Sequence, residues 1–142
     1  MAFVLLTGDC RLFGLYFYEG KEKVDAEKYK NLLTSKVFPA MKARLGQGKF
    51  SRLIWQQDGA PCHTATPVID YLDRIFGDRM LALKSPRGQD MSPQSPDLNP
   101  CEIFLWGHLK ERVYKPMPQN MQDLKRRIKE VLQEVSCHST HL

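Results

Sequence analysis

Two apolar, aromatic runs open the chain, residues 2–7 (Ala-Phe-Val-Leu-Leu-Thr) and 12–18 (Leu-Phe-Gly-Leu-Tyr-Phe-Tyr), with Gly8-Asp9 between them. Gly and Asp tolerate the positive φ of a tight turn, so the pattern predicts a β-hairpin. From Asp25 the spacing of apolar positions turns helical. Tyr29, Leu32, Leu33, Val37, Met41 and Leu45 fall on one face, and Pro39 is expected to kink or end that helix for want of an amide hydrogen. Residues 46–49 read as a loop. Residues 50–57, with Leu53, Ile54 and Trp55, read as a short strand that delivers Asp58 at its carboxyl end, broken by Gly59-Ala60-Pro61.

Thr66-Pro67 predicts the next helix start, a capping hydroxyl followed by proline in the first helical turn. Its core face is Val68, Ile69, Leu72 and Phe76, and residues 80–83 read as a fourth strand. Residues 84–100 form a loop carrying Pro86, Pro93, Pro96 and Pro100. Asn99-Pro100-Cys101-Glu102 then opens a helix backed by Leu105, Trp106, Leu109 and Val113. Asn120 caps a last helix, with Met121, Leu124, Ile128, Val131, Leu132 and Val135 on its apolar face and Lys125, Arg126, Arg127 and Lys129 opposite. The order ββαβαβαα predicts one α/β domain, a small mixed sheet flanked by helices.

Length and composition agree with one packed domain. The 142 residues include 42% hydrophobic and 26% charged side chains, which excludes chain-wide disorder. The longest apolar run, residues 1–6, is far short of the ~20 needed to span a bilayer. No charged segment precedes it, so a soluble, intracellular protein with no membrane partner is expected. Net charge is +5 and the excess lies late, with seven Lys/Arg against four acids in residues 109–135. That balance suits a polyanion such as nucleic acid, although it is equally the mark of a solvated helix face. Cys10, Cys62, Cys101 and Cys137 form no Cys-x-x-Cys pair, which disfavours a zinc site.

Two carboxylates are placed for chemistry. Asp58 ends a strand, where ligands of α/β sheets bind, but Asp before Gly also simply makes turns. Glu102 starts a helix on the side of its core stripe. It suits a hard divalent cation, and it equally suits a capping box with Asn99. Two such acids around Mg²⁺ would serve in-line phosphoryl displacement. His63 suits a phosphate contact or a structural hydrogen bond, and Asp97 a loop-shaping role.

The words of the sequence narrow these alternatives. Trp55-Gln-Gln-Asp58-Gly-Ala-Pro-Cys-His63-Thr-Ala and Ser95-Pro-Asp-Leu-Asn-Pro-Cys-Glu102-Ile-Phe-Leu-Trp-Gly107 closely resemble the two signature blocks of mariner-type transposases. Leu15-Tyr-Phe-Tyr-Glu-Gly20, the helix over residues 29–39, Val113-Tyr114-Lys115 and the Asp123-Leu-Lys125 helix extend the resemblance over nearly the whole chain. It implies an RNase H-like fold with an Asp-Asp-Glu or Asp-Asp-Asp metal triad, in which Asp58 matches the second ligand and Glu102 the third. The implied cofactor is Mg²⁺ (or Mn²⁺), with no small-molecule cofactor. The implied reaction is DNA strand cleavage by water, then attack of a 3′-hydroxyl on target DNA. The implied partners are transposon ends, target DNA and a second copy in a homodimer, and the implied location is the nucleus. DNA would meet His63, Lys125, Arg126, Arg127 and Lys129.

The sequence departs from the family pattern at several points. The family's first Asp lies on a strand before the hairpin, and Asp9, in the hairpin turn, does not match it. Forty-three residues separate Asp58 from Glu102, more than the common family interval, and Met91 stands where the family usually shows Trp. No helix-turn-helix is found in the sequence. The resemblance is thus to the carboxyl-terminal part of a catalytic domain, without its first, central strand. Either the hairpin closes up against the Asp58 strand or the fold is marginal. With two carboxylates for a three-carboxylate reaction, catalysis by this chain alone is expected to be slight or nil, and its status as an enzyme stays open. The alternative is a non-catalytic DNA-binding or interaction protein derived from a transposase.

Overall fold

The computed structural model describes residues 2–7, 12–18, 23–90 and 105–138. The chain divides into two compact units, one of Tyr18–Ser95 and one of Ala2–Phe17 with Pro96–Leu142. The α/β class holds in both. Among the described residues the strands pair two by two, giving an antiparallel sheet and a parallel sheet of two strands each.

In the second unit, strand β1 (Ala2–Leu6) pairs with β2 (Leu12–Phe17) as the hairpin pattern predicts, and the turn itself lies outside the described residues. Val4 faces Leu15 and Leu5 faces Phe13, which leaves Gly14 as the extra residue of a bulge. Gly14 has φ +70, and a Cβ there would come within 2.7 Å of the Tyr16 ring, so the bulge selects glycine twice over. Helix α5 (Gly107–Val113) and helix α6 (Met121–His138) cover the other side of the core. Leu105, Leu109, Val113, Val131 and Leu132 are buried together, with Val4, Leu15, Trp106, Leu124 and Ile128 packed around them. This is the helical face read from the sequence, except that Met121 at the helix start is exposed. Asn120 caps α6 as expected: its Oδ1 accepts the Asp123 amide at 2.8 Å. Asp123 returns the bond by accepting the Gln119 amide at 3.1 Å.

In the first unit, helix α1 (Ala26–Leu32) starts at Asp25, whose carboxylate accepts the Lys28 amide at 2.8 Å. Pro39, expected to kink or end this helix, goes with an irregularity in the helical run and does not end it. A π-helical stretch, Leu33–Val37, carries the chain directly into α2 (Phe38–Leu45), with Pro39 inside its first turn. The wide turn absorbs the missing amide, and the hydroxyls of Thr34 and Ser35 donate back to the carbonyls of Lys30 and Asn31 at 2.8 and 2.6 Å. The inserted residue also rotates the later face, so Phe38 is buried beside Val37 and Leu45 is only partly covered.

The expected loop over residues 46–49 contains a one-turn helix, α3 (Gln47–Phe50), which takes Phe50 out of the expected strand. That strand shortens to β3 (Trp55–Gln56), and Ile54 is exposed. Helix α4 (Thr66–Phe76) begins at Thr66 with Ala65 at its cap position, so the Thr66 hydroxyl does not cap it. Val68, Ile69, Leu72 and Phe76 are all buried, as the periodicity predicts. Strand β4 (Met80–Leu81) lies parallel to β3, Trp55 beside Met80 and Gln56 beside Leu81. Phe38 centres the core, edge-on to Trp55 at 5.2 Å, to Phe76 at 5.6 Å and to Phe50 at 5.8 Å. Burial of each such side chain stabilises the fold by about 1.5–3 kcal/mol.

Candidate functional site

The parallel ladder continues one residue past β3, where the Gln57 amide donates to the Leu81 carbonyl at 3.1 Å. This fixes where the chain leaves the sheet, and the next residue is Asp58. Its Oδ1 accepts the Ala60 amide at 3.1 Å, the side-chain turn that Asp before Gly commonly makes. A tight turn follows, with His63 and Thr64 amides donating to the Ala60 carbonyl at 2.8 and 3.1 Å. The turn brings the imidazole back to the strand end, 2.5 Å from Nδ1 to Asp58 Oδ1. The turn-making reading of Asp58 therefore holds, and the turn uses only Oδ1.

That hydrogen bond from His63 is the main reason the Asp58 carboxyl lies below the usual carboxylate range; partial burial opposes it and the Ala60 amide adds to it. An ionised carboxylate only accepts hydrogen bonds, so His63 Nδ1 is the donor. Asp58 is half-buried, and all its hydrogen bonds among the described residues fall on Oδ1. A charged, hard oxygen with Oδ2 outside those bonds fits one ligand position of a divalent cation.

Behind His63 lies a buried polar network that the sequence reading did not single out. Gln57 is the buried polar side chain among the described residues. Its Oε1 accepts from the Tyr29 hydroxyl at 3.0 Å and from Trp55 Nε1 at 3.2 Å, and its Nε2 donates to the His63 carbonyl at 3.0 Å. Burial pushes the Tyr29 phenol well above its ordinary value, so it is a neutral donor. The signal for Gln57 in the sequence is a polar residue inside an apolar strand, one position before the acid.

Cys62 is a free thiol beside this turn, and burial pushes it up from its ordinary value. Glu102 and Asn99 lie outside the described residues, as do Asp97, Asp9 and Met91, so the two readings of Glu102 rest on the sequence. No cluster of three or more metal-ligating side chains occurs among the described residues.

The basic side chains expected to meet DNA are placed as follows. Arg126 donates to both carboxylate oxygens of Glu130 at 2.7 and 2.9 Å and to Asp123 at 2.5 Å. Arg127 is mostly buried and turns toward α5, where it donates to the Val113 and Pro116 carbonyls and pairs with Asp123 at 3.1 Å. The ammonium groups of Lys125 and Lys129 lie over the Phe17 ring, 5.4 and 6.0 Å from its centre. His63 is engaged with Asp58, as described.

Among solved structures, the catalytic domain of Mos1 transposase, determined with Raltegravir and Mn, aligns with 94% of this chain and 72% of its own, at a TM-score of 0.66 and 17% identity. The fold is that of a mariner transposase catalytic domain. The RNase H-like architecture expected from the signature blocks is therefore present. No family model and no curated protein matches the sequence. At 17% identity the Mos1 domain speaks for the fold alone. Among the described residues, no helix is long and apolar enough to cross a membrane.

Proposed function

We propose that this chain is part of a DNA transposase catalytic domain whose ancestral reaction is metal-dependent DNA strand cleavage and strand transfer. One observation carries the reading: on a mariner-type fold, the end of a parallel strand presents Asp58 ionised and oriented, with Oδ2 outside its hydrogen bonds among the described residues. Asp58 and Glu102 are the proposed catalytic and metal-holding carboxylates. Mg²⁺ or Mn²⁺, when bound, supplies charge neutralisation at the scissile phosphate. The chain's own contribution is to hold the Asp58 oxygens in place and to keep that carboxyl ionised. Transposon ends and target DNA are the proposed partners, with His63 and the Lys125, Arg126, Arg127 and Lys129 face along phosphates. A homodimer and a nuclear location complete the proposal.

The experiment is Mn²⁺ binding, followed by nicking of a duplex carrying the element ends. Mn²⁺ should bind, Asp58→Asn should abolish binding, and nicking by this chain alone should be slight. Glu102→Gln separates ligand from cap, since glutamine preserves a capping box and removes the charge; unchanged binding in that variant removes Glu102 from the metal site.

The second reading is a non-catalytic DNA-binding or interaction protein, on the net charge of +5 and its late excess of Lys and Arg over residues 109–135. DNA binding that weakens steeply with salt, yet ignores Mg²⁺ and Asp58→Asn, would establish it.

A further inference from the structure

We propose that His63 is a positioning residue for metal at Asp58, and that Gln57 and Tyr29 act through it as a buried relay. The inference rests on the reading of Asp58 as a metal ligand and adds the residues that aim it.

The geometry supports a directed chain of contacts. The Tyr29 hydroxyl donates to Gln57 Oε1 at 3.0 Å, which fixes the amide so that its Nε2 faces the His63 carbonyl, also at 3.0 Å. Trp55 Nε1 reaches the same Oε1 at 3.2 Å, so the carbonyl side of the amide is assigned by two donors. The His63 ring packs on Tyr29, with centroids 4.2 Å apart and a 36° tilt. Backbone and ring of His63 are thus both held, and its Nδ1 is aimed at Asp58 Oδ1.

The consequence is a choice of oxygen. With Oδ1 holding the His63 and Ala60 hydrogens, the carboxylate plane is set and, among the described residues, Oδ2 is the atom left for a cation. A free aspartate would spend its rotamer freedom on binding, whereas this one is ordered beforehand. Groups that hydrogen-bond a metal ligand in this way commonly account for about 10–100-fold in affinity.

The test measures Mn²⁺ affinity of the whole chain by water-proton relaxation and, separately, the ¹H–¹⁵N spectrum of His63. His63→Leu keeps bulk and removes the donor; it should weaken Mn²⁺ binding by about 10–100-fold. His63→Asn places an amide donor near the position of Nδ1 and should stay close to wild type. Tyr29→Phe keeps the ring and removes one bond to Gln57; it should weaken binding measurably, by less than His63→Leu. In the metal-free wild type, the Nδ1 proton should be protected and visible.

If His63→Leu matches wild type, or His63→Asn loses as much as His63→Leu, the positioning role is wrong while Asp58 keeps its assignment. An Nδ1 without a proton overturns the role even if a His63 variant does not fold. Wild-type protein that fails to bind Mn²⁺, or Asp58→Asn that binds as well, overturns the metal reading and the relay with it.

Discussion

Tyr29 and His63, from a helix and a turn far apart in the chain, pack with ring centroids 4.2 Å apart and planes tilted by 36°, and His63 Nδ1 donates to the Asp58 carboxylate. The helix carrying Tyr29 is the one that continues through Pro39 by widening to a π-turn. The core face of that helix therefore serves the strand end as much as it serves packing. A tyrosine that the periodicity explains entirely as core is also the outermost donor of the polar network.

Tyr29→Phe should destabilise the chain by about 0.5–1.5 kcal/mol, the usual net worth of one hydrogen bond. The loss is held to that range because Gln57 Oε1 keeps the Trp55 donor. The same substitution should change alkaline behaviour. Burial raises the Tyr29 value in the folded protein, so its contribution is complete below about pH 10 and is lost as pH rises beyond that. Urea titrations at neutral and alkaline pH should show wild type losing stability above about pH 10, and Tyr29→Phe losing less.

At the acid end the sign reverses. The folded Asp58 value is lowered, chiefly by His63, so its contribution is present above the unfolded value near pH 4 and disappears as pH falls through the folded one. Asp58→Asn should flatten the acid limb of the stability profile, measured by equilibrium unfolding from neutral pH downward. An unchanged limb would mean that the bond to His63 does not bias the carboxyl.

Asn120→Ala should remove the α6 cap and cost about 1 kcal/mol, read as a lower denaturant midpoint by circular dichroism. Asp123 is lowered to about 2 by Arg126, the Gln119 amide and Arg127. Acidification from about pH 4 to about 2 should therefore loosen the start of α6 in wild type. Asp123→Asn should show little further change over that interval.

Gly88→Ala should be the most damaging small substitution. A Cβ there would run into the Met80 carbonyl oxygen, next to the Gln89 amide that donates to the same carbonyl at 2.9 Å. Because Met80 and Leu81 hold β3 in register, the disturbance should reach Gln57. Overpacking of this kind costs about 1–3 kcal/mol, and thermal melts should report it. Amide exchange should rise at Gln57 as well as at residue 88.

The sequence alone determined the local features: the opening hairpin, the core faces of α4 and α6, the Asn120 cap, and a strand that ends at Asp58. These depend on side-chain period, turn chemistry and caps, all of which act within a few residues. The signature blocks added the RNase H-like fold. Tertiary structure decided the rest. The π-turn that carries the chain through Pro39 answers to the burial of Phe38 as well as to a missing amide. Arg126 and Arg127 read as a basic surface in one dimension, while in three their partners are Asp123, Glu130 and the carbonyls at the end of α5. The aim of Asp58 depends on Tyr29 meeting Gln57 across 28 positions of sequence, a contact that no local pattern encodes because packing alone brings the two together.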